Sequence, residues 1–430
     1  MVSYLTYAAL LLLVGWRFRS ADWTTSAGKA ELLLLAALCL SALVWATEGT
    51  LLIDFLKAYY PGGRTIWEQP YQLYECHRSN LCFVNLPILA LLFSPFSFMP
   101  TPIAAVTFTT VGLVLAACAA WRLSNGAKGW QGRAVIVLFL VSGPLAYSIR
   151  LGNMTHMLIP VLLLAFEAQS RGRQVTAGVA MAFVTLIKPF CVLFLFYFFA
   201  RRQWNAFVAM AGSAALVILL SLLLFGVDLH KLFVENYVFG FGSRPVIAYN
   251  VQNFAGAIGH LALPGNLKNF IPIDEPLWFK MARLSLTGVT LAMVATTFWR
   301  AGQPKTQAAW LAELCIVLSA GLLIAPVTWT HYLSLLLVPL ALLVTGRFEV
   351  KLSRGQIATL AIAALFISLP VLLPNRRDIF PFFLQRIWIS HFVVGMVMLF
   401  GILAQVRLQM RAAVPQVWRP SFCWDHPSPA

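Results

Sequence analysis

The stretch Leu32-Leu-Leu-Leu-Ala-Ala-Leu-Cys-Leu-Ser-Ala-Leu-Val-Trp-Ala46 runs without a charge toward Glu48-Gly-Thr-Leu-Leu-Ile-Asp54-Phe-Leu-Lys57-Ala-Tyr59-Tyr60. With its flanks, residues 30–50, the first part has the apolarity and length of a helix that crosses a hydrocarbon core, for which about 17–25 residues suffice. The second part sets Asp54 directly after that helix. A carboxylate at the margin of a bilayer is costly to keep, so it needs either a partner or a task.

The rest of the chain repeats the apolar theme. Of 430 residues, 60% are apolar and 11% charged, and the mean hydropathy is +0.80. So little polar surface excludes a soluble globule of this length and predicts an all-α polytopic membrane protein. Further apolar runs place spans near 4–16, 101–121, 134–149, 156–170, 205–226, 283–299, 308–325, 332–346, 357–373 and 387–406. Residues 175–200 are also apolar but are interrupted by Lys188-Pro189, which reads as two short helices folding back on each other. The expectation is one transmembrane domain over residues 1–430 with about 11–13 spans.

Basic residues accumulate in cytoplasmic loops, which orients the chain. If Arg17/Arg19/Lys29, Arg122/Lys128/Arg133, Arg171/Arg173, Arg201/Arg202, Arg300/Lys305, Arg347/Lys351/Arg354 and the tail 407–430 face inside, that side carries 18 basic and 6 acidic residues. The other side then carries 12 basic and 9 acidic residues, and Lys188 is left at membrane depth. The net charge of +16 is therefore a topology signal, with no reason to invoke nucleic acid. Asp54 falls outside in this scheme.

The first apolar run lacks an early basic region and a small-residue cleavage site before Arg17, so it reads as a short span rather than a signal peptide. Most of the seven cysteines lie in apolar runs, where a thiol acts as a small hydrophobe. Cys76 and Cys82 share an outer loop whose compartment would permit a disulfide, and His77 beside them reads as a surface residue. No HExxH, paired CxxC or carboxylate cluster has metal-ligand spacing, so no metal is expected.

Three regions break the run of helices, all on the proposed outer side. The loop 51–100 carries Asp54, then Tyr59, Tyr60, Trp67, Tyr71 and Tyr74, a density that suggests helices lying in the interface. The loop 227–282 holds Arg244-Pro245 and Tyr249-Asn250-Val-Gln252-Asn253 and reads as short helix and turn. The third, Ile324-Ala-Pro326-Val-Thr-Trp329-Thr-His331-Tyr332, sits at a turn between two helices.

In that order, Asp54, Tyr59-Tyr60 and Tyr74, the prolines 87, 95 and 100, Arg150-Leu-Gly152-Asn153, Leu186-Ile-Lys188-Pro189 with Arg201-Arg202, and Pro326-Val-Thr-Trp329-Thr-His331 resemble the pattern of the GT-C glycosyltransferases of family 87. The likeness covers roughly residues 45–350 and departs from the pattern at Asn153, where a Gln often stands, and at Asn85, where a Tyr is expected. The resemblance implies a GT-C-like helix bundle in a bacterial inner membrane, with its site facing the periplasm. It implies a polyprenyl-phosphate sugar as donor, a hexose such as mannose or a pentose, and a lipid or glycan acceptor, with no cofactor. By the same resemblance Asp54 matches the catalytic Asp and His331 the functional His.

The chemistry can be reasoned from the residues as well. A sugar linked to phosphate already has a good leaving group, so the general acid that glycosidases need is superfluous. One base within reach of the acceptor hydroxyl and a cationic cradle for the departing phosphate suffice. Asp54 is the candidate base; Lys188, Arg150 and Arg244 are candidates for the phosphate; Tyr59, Tyr60, Asn153, Asn250, Asn253 and Trp329 are candidates for sugar or acceptor. Each has a plainer reading: Asp54 paired with Lys57 on one helix face, Lys188 snorkelling to the interface, His331 in an aromatic belt, the arginines on lipid headgroups and the amides as helix caps. A polytopic lipid or oligosaccharide transporter is the alternative class. It should show internal repeats with matching helix breaks, whereas only the Lys188-Pro189 break is evident.

Overall fold

The computed structural model describes residues 2–20, 26–47, 49–75, 81, 83–127, 130–263, 265–371 and 382–412. Cys76 and Cys82, whose compartment would permit a disulfide, His77 and the tail beyond Ala412 lie outside these residues. Among the described residues the regular structure is helical, and the only extended pairings are two isolated bridges, Val246 with Pro272 and Val251 with Trp329. Among the described residues five helices are long and apolar enough to cross a membrane, or six if Trp130–Leu140 and Gly143–Leu151, which meet at 43°, form one span. Eight further apolar helices run 10–17 residues.

Gln307–Ile324 forms the centre of the bundle, buried from Ala308 to Leu323 apart from Trp310. It packs on Ile159–Ser170, Leu193–Ala200, Leu277–Ala301 and His391–Ala412. Other helices turn their apolar faces outward: on Trp204–Phe233, Leu216, Leu219, Leu223 and Leu224 are all more than half exposed. Apolar side chains in such a contiguous strip need hydrocarbon around them, so the chain is an integral membrane protein. Val2–Ser20 and Ser26–Ala46 pack as a pair around a separate small core of Tyr7, Leu10, Val14, Leu35, Cys39 and Leu43, which reaches the bundle through Val141, Ala146 and Leu369.

The helix breaks follow local chemistry. Lys188 precedes a proline and takes φ −127°, ψ 86°, so Gln174–Ile187 stops there and the chain restarts as the 3-10 turn Pro189–Val192 and the helix Leu193–Ala200. The expected span 134–149 is bent where Ser142 caps the second helix, its Oγ accepting from Leu145 N. The expected span 205–226 ends at Gly226, whose φ of 73° breaks the helix before it resumes to Phe233. The loop 51–100 is largely helical: a π-turn Phe55–Tyr59, the helix Tyr60–Glu68, the 3-10 segment Pro87–Phe93 and the turn Ser94–Ser97. Gly63 lets Tyr60–Glu68 lie directly on Pro87–Ser97, since a Cβ there would collide with Ser97 Oγ and the Phe93 carbonyl.

Candidate functional site

Asp54 sits at the head of the π-turn Phe55–Tyr59, a wide form of helix that recurs at functional sites. Its backbone is fixed from behind: Leu52 N donates to Arg150 O at 2.5 Å, while the Arg150 guanidinium donates to Gly49 O and Val44 O. Leu52 itself is held at φ 54°, a left-handed conformation that costs a leucine about 1–2 kcal/mol. Phe55, stacked on Phe108 at 4.3 Å, and Tyr59, stacked on Phe93 at 4.4 Å, bury the rest of the turn. Asp54 is left half-buried, facing the middle of the chain.

What it meets there is Asn153. Gly143–Leu151 ends at Gly152, whose φ of 66° swings the chain round; a Cβ at Gly152 would sit 2.7 Å from Phe55 Cβ, so glycine is needed for the approach. Asn153 Nδ2 then donates to Asp54 Oδ2 at 2.7 Å and to the Tyr59 hydroxyl at 3.1 Å. Its Oδ1 accepts from Thr155 N and Thr155 Oγ1 and, at 3.4 Å, from Lys188 Nζ. Behind it, Ser148 Oγ donates to Asn153 O and lies 2.9 Å from His156 Nδ1. The amide is thus clamped on both sides.

Lys188 is buried, its ammonium 3.9 Å from the centre of the Tyr332 ring. His331, also buried, packs edge-on to Tyr332 and 6.0 Å from Tyr147 between ring centres. Both His331 ring nitrogens lack a hydrogen-bond partner among the described residues, as does Asn250 Oδ1. Asn250 Nδ2 donates to the Tyr147 hydroxyl at 2.8 Å, and its carbonyl receives Thr330 N and Thr330 Oγ1, which ties the 227–282 segment to the turn carrying His331. Burial raises the Asp54 carboxyl to about 6, against the opposing pull of the Asn153 hydrogen bond and the Lys188 charge. That value suits a base that is ionised at neutral pH yet still takes a proton.

The structure therefore gathers Asp54, Tyr59, Asn153, Lys188, His331 and Asn250 from five separate stretches. Other candidates are engaged elsewhere. Arg244 pairs with Asp274 at 3.0 Å with its side chain 49% exposed, and Arg150 is spent on backbone carbonyls. Asn253 caps Phe254–Ala262 and holds the Ala325 and Pro326 carbonyls. The Tyr60 hydroxyl donates to Met99 O, and Trp329 bridges to Val251 beside Phe270. Thr155, Ser148, His156, Tyr147 and Tyr332 belong to the site but were not singled out from the sequence; the polar run Asn153-Met-Thr155-His156 inside an apolar stretch was the available signal. No group of three or more His, Cys, Asp or Glu side chains that could hold a metal occurs among the described residues.

Comparison with known proteins gives one family. Glycosyltransferase family 87 matches residues 83–326, more than half of the chain. That span includes Arg150, Asn153, Lys188, Arg244, Asn250 and Asn253 and leaves Asp54, Tyr59, Tyr60, Trp329 and His331 outside it. A polyprenol-phosphate-mannose-dependent alpha-(1-2)-phosphatidylinositol mannoside mannosyltransferase of Mycobacterium tuberculosis is 26% identical over 341 residues, covering 74% of this chain and 73% of the relative. The enzyme of the same description from Mycolicibacterium smegmatis is 24% identical, with 70% of each chain covered. A phosphatidylinositol pentamannoside mannosyltransferase of that organism is 25% identical over 318 residues, covering 70% of this chain and 72% of the relative.

Proposed function

This chain belongs to glycosyltransferase family 87, and on that premise we propose that it transfers a hexose, in the first place mannose, from a polyprenyl-phosphate carrier to a hydroxyl of a lipid or glycan acceptor, with inversion. The donor class is carried over from the relatives' names. Asp54 is the base: it takes the acceptor proton as the oxygen attacks the anomeric carbon, and the bond from that carbon to the phosphate oxygen breaks with the electron pair leaving on the polyprenyl phosphate. Lys188 stabilises the charge that grows on that phosphate. His331, with both ring nitrogens unengaged in a buried position, hydrogen-bonds the sugar or phosphate. The site faces the periplasm, on the side opposite the 18 basic residues.

The observation that carries this reading is the Asn153 bridge, 2.7 Å to Asp54 and 3.4 Å to Lys188. It supports a base and a cation held near each other by a neutral amide, so that neither neutralises the other. Purified protein in detergent, incubated with polyprenyl-phosphate sugars and a lipid extract of the source cell, should consume one donor and yield a product heavier by one sugar. A transporter has no second compartment in detergent and would leave every donor intact, which would overturn the proposal.

A further inference from the structure

A second site lies at the far end of the same helices. Glu167 and Asn153 are fourteen residues apart, which at the rise of a helix is ~20–25 Å. Around Glu167 the chain gathers more positive charge than one carboxylate can neutralise. Arg122 holds it with Nη2 at 2.7 Å and Nε at 3.2 Å, Arg171 reaches it at 3.4 Å, and Arg347 at 3.7 Å. Arg173, exposed, adds a fourth guanidinium. Arg347 also donates to the Arg122 and Asn125 carbonyls, so it is a fixed part of this end.

Three of these arginines rim a cavity of about 450 Å³. Arg122, Arg171 and Arg173 stand at its edge, while Ala119, Leu163 and Leu164 form its wall. Leu164 stays 51% exposed, so the wall runs on into the hydrocarbon-facing surface of the bundle. Side chains of Arg122 and Arg171 are 51% and 42% exposed, leaving donors beyond those that Glu167 occupies. A guanidinium fork matches a phosphate, and an apolar wall matches an acyl chain.

We propose that this cavity binds an anionic phospholipid, its phosphate on Arg122, Arg171 and Arg173 and a tail against Ala119, Leu163 and Leu164. Free phosphate would satisfy the rim and leave the wall unused; a zwitterionic lipid would satisfy the wall and bring a cation toward three guanidiniums. The charge excess and the continuous apolar surface together select a lipid with a net negative headgroup. The site is independent of the transferase reaction, since it shares no residue with the Asp54 group.

The test is native mass spectrometry of the full chain in detergent with dioleoyl phosphatidylglycerol, dioleoyl phosphatidylcholine, sn-glycerol 3-phosphate or inorganic phosphate. The wild type should retain phosphatidylglycerol over phosphatidylcholine, and neither tail-less phosphate should displace it. Arg173→Gln and Arg171→Gln should each retain phosphatidylglycerol about tenfold less, the factor for one lost charge-assisted hydrogen bond. Arg173→Gln has no ion pair to lose among the described residues, so it carries the test if Arg171→Gln misfolds. Equal retention of the two lipids, displacement by inorganic phosphate, or undiminished retention by the folded variants would each overturn the proposal.

Discussion

Asp54 and Glu313 are both carboxylates inside the helix bundle with a cation at hand, and they are treated in opposite ways. Glu313, fully buried on Gln307–Ile324, is saturated: Arg201 donates to both of its oxygens at 2.6 and 2.8 Å, Arg407 at 2.8 Å, and the Tyr197 hydroxyl at 3.0 Å. The spare donors of those arginines hold the Phe298, Ala301 and Gly302 carbonyls. That group ties together four helices and leaves no acceptor open. Asp54 receives one amide from Asn153, and its cation, Lys188, is turned to the far side of that amide and to the Tyr332 ring. A structural ion group closes on itself, whereas a group meant to meet a substrate keeps its charges apart and its carboxylate half-open.

The contrast can be broken at either end. Asp54→Asn keeps shape and hydrogen-bonding capacity but cannot accept a proton, so turnover should fall ~10²–10⁴-fold with donor binding and the melting temperature preserved; near-normal turnover by the folded variant would remove Asp54 as base. Glu313→Gln should do the reverse. Two buried guanidiniums lose their counter-charge, a loss of about 3–5 kcal/mol in stability, and any protein that folds should turn over donor normally. Lys188→Met retains the stem and drops the charge; transition-state stabilisation should weaken by about 2–4 kcal/mol, read from kcat/KM. Unaltered kinetics would make the lysine a packing residue.

The smallest effect sharpens the comparison most. The proton-accepting form of Asp54 is the ionised one, so activity should decline as pH falls through about 6. Because the Asn153 hydrogen bond holds that value down, Asn153→Ala should move the acidic limb of the rate profile to higher pH, with the lost rate partly recovered under alkaline conditions. A limb that stays in place while the whole profile drops would mean that Asn153 only packs.

Much of the fold was legible because membrane helices announce themselves by apolar length. The break at Lys188-Pro189 was legible for a second reason, since the residue before a proline is pushed away from the helical conformation. The bends at Ser142 and Gly226 were not: they act through a cap and a left-handed φ that composition does not reveal. In the site, the ionisable candidates Asp54, Lys188 and His331 stood out as costly residues in apolar surroundings. Asn153 was legible as a polar residue, but its place as the bridge between Asp54 and Lys188 depends on where Gly152 turns the chain. Arg244 had a counter-ion 30 residues downstream that no local pattern marks. Glu313 was not singled out from the sequence, and its arginines come from 112 and 94 residues away.

The distance along the chain between Asp54 and its amide partner has a consequence in time. They are 99 residues apart, and synthesis at ~5–20 residues per second puts ~5–20 s between them. Throughout that interval the newly made N-terminal helices carry a carboxylate with neither its hydrogen-bond donor nor its cation, and Lys188 follows 35 residues after Asn153. Closure of the site therefore waits on two later events, the turn at Gly152 that brings Asn153 to Asp54 and the emergence of Lys188, while the first two helices already have a core of their own to pack around.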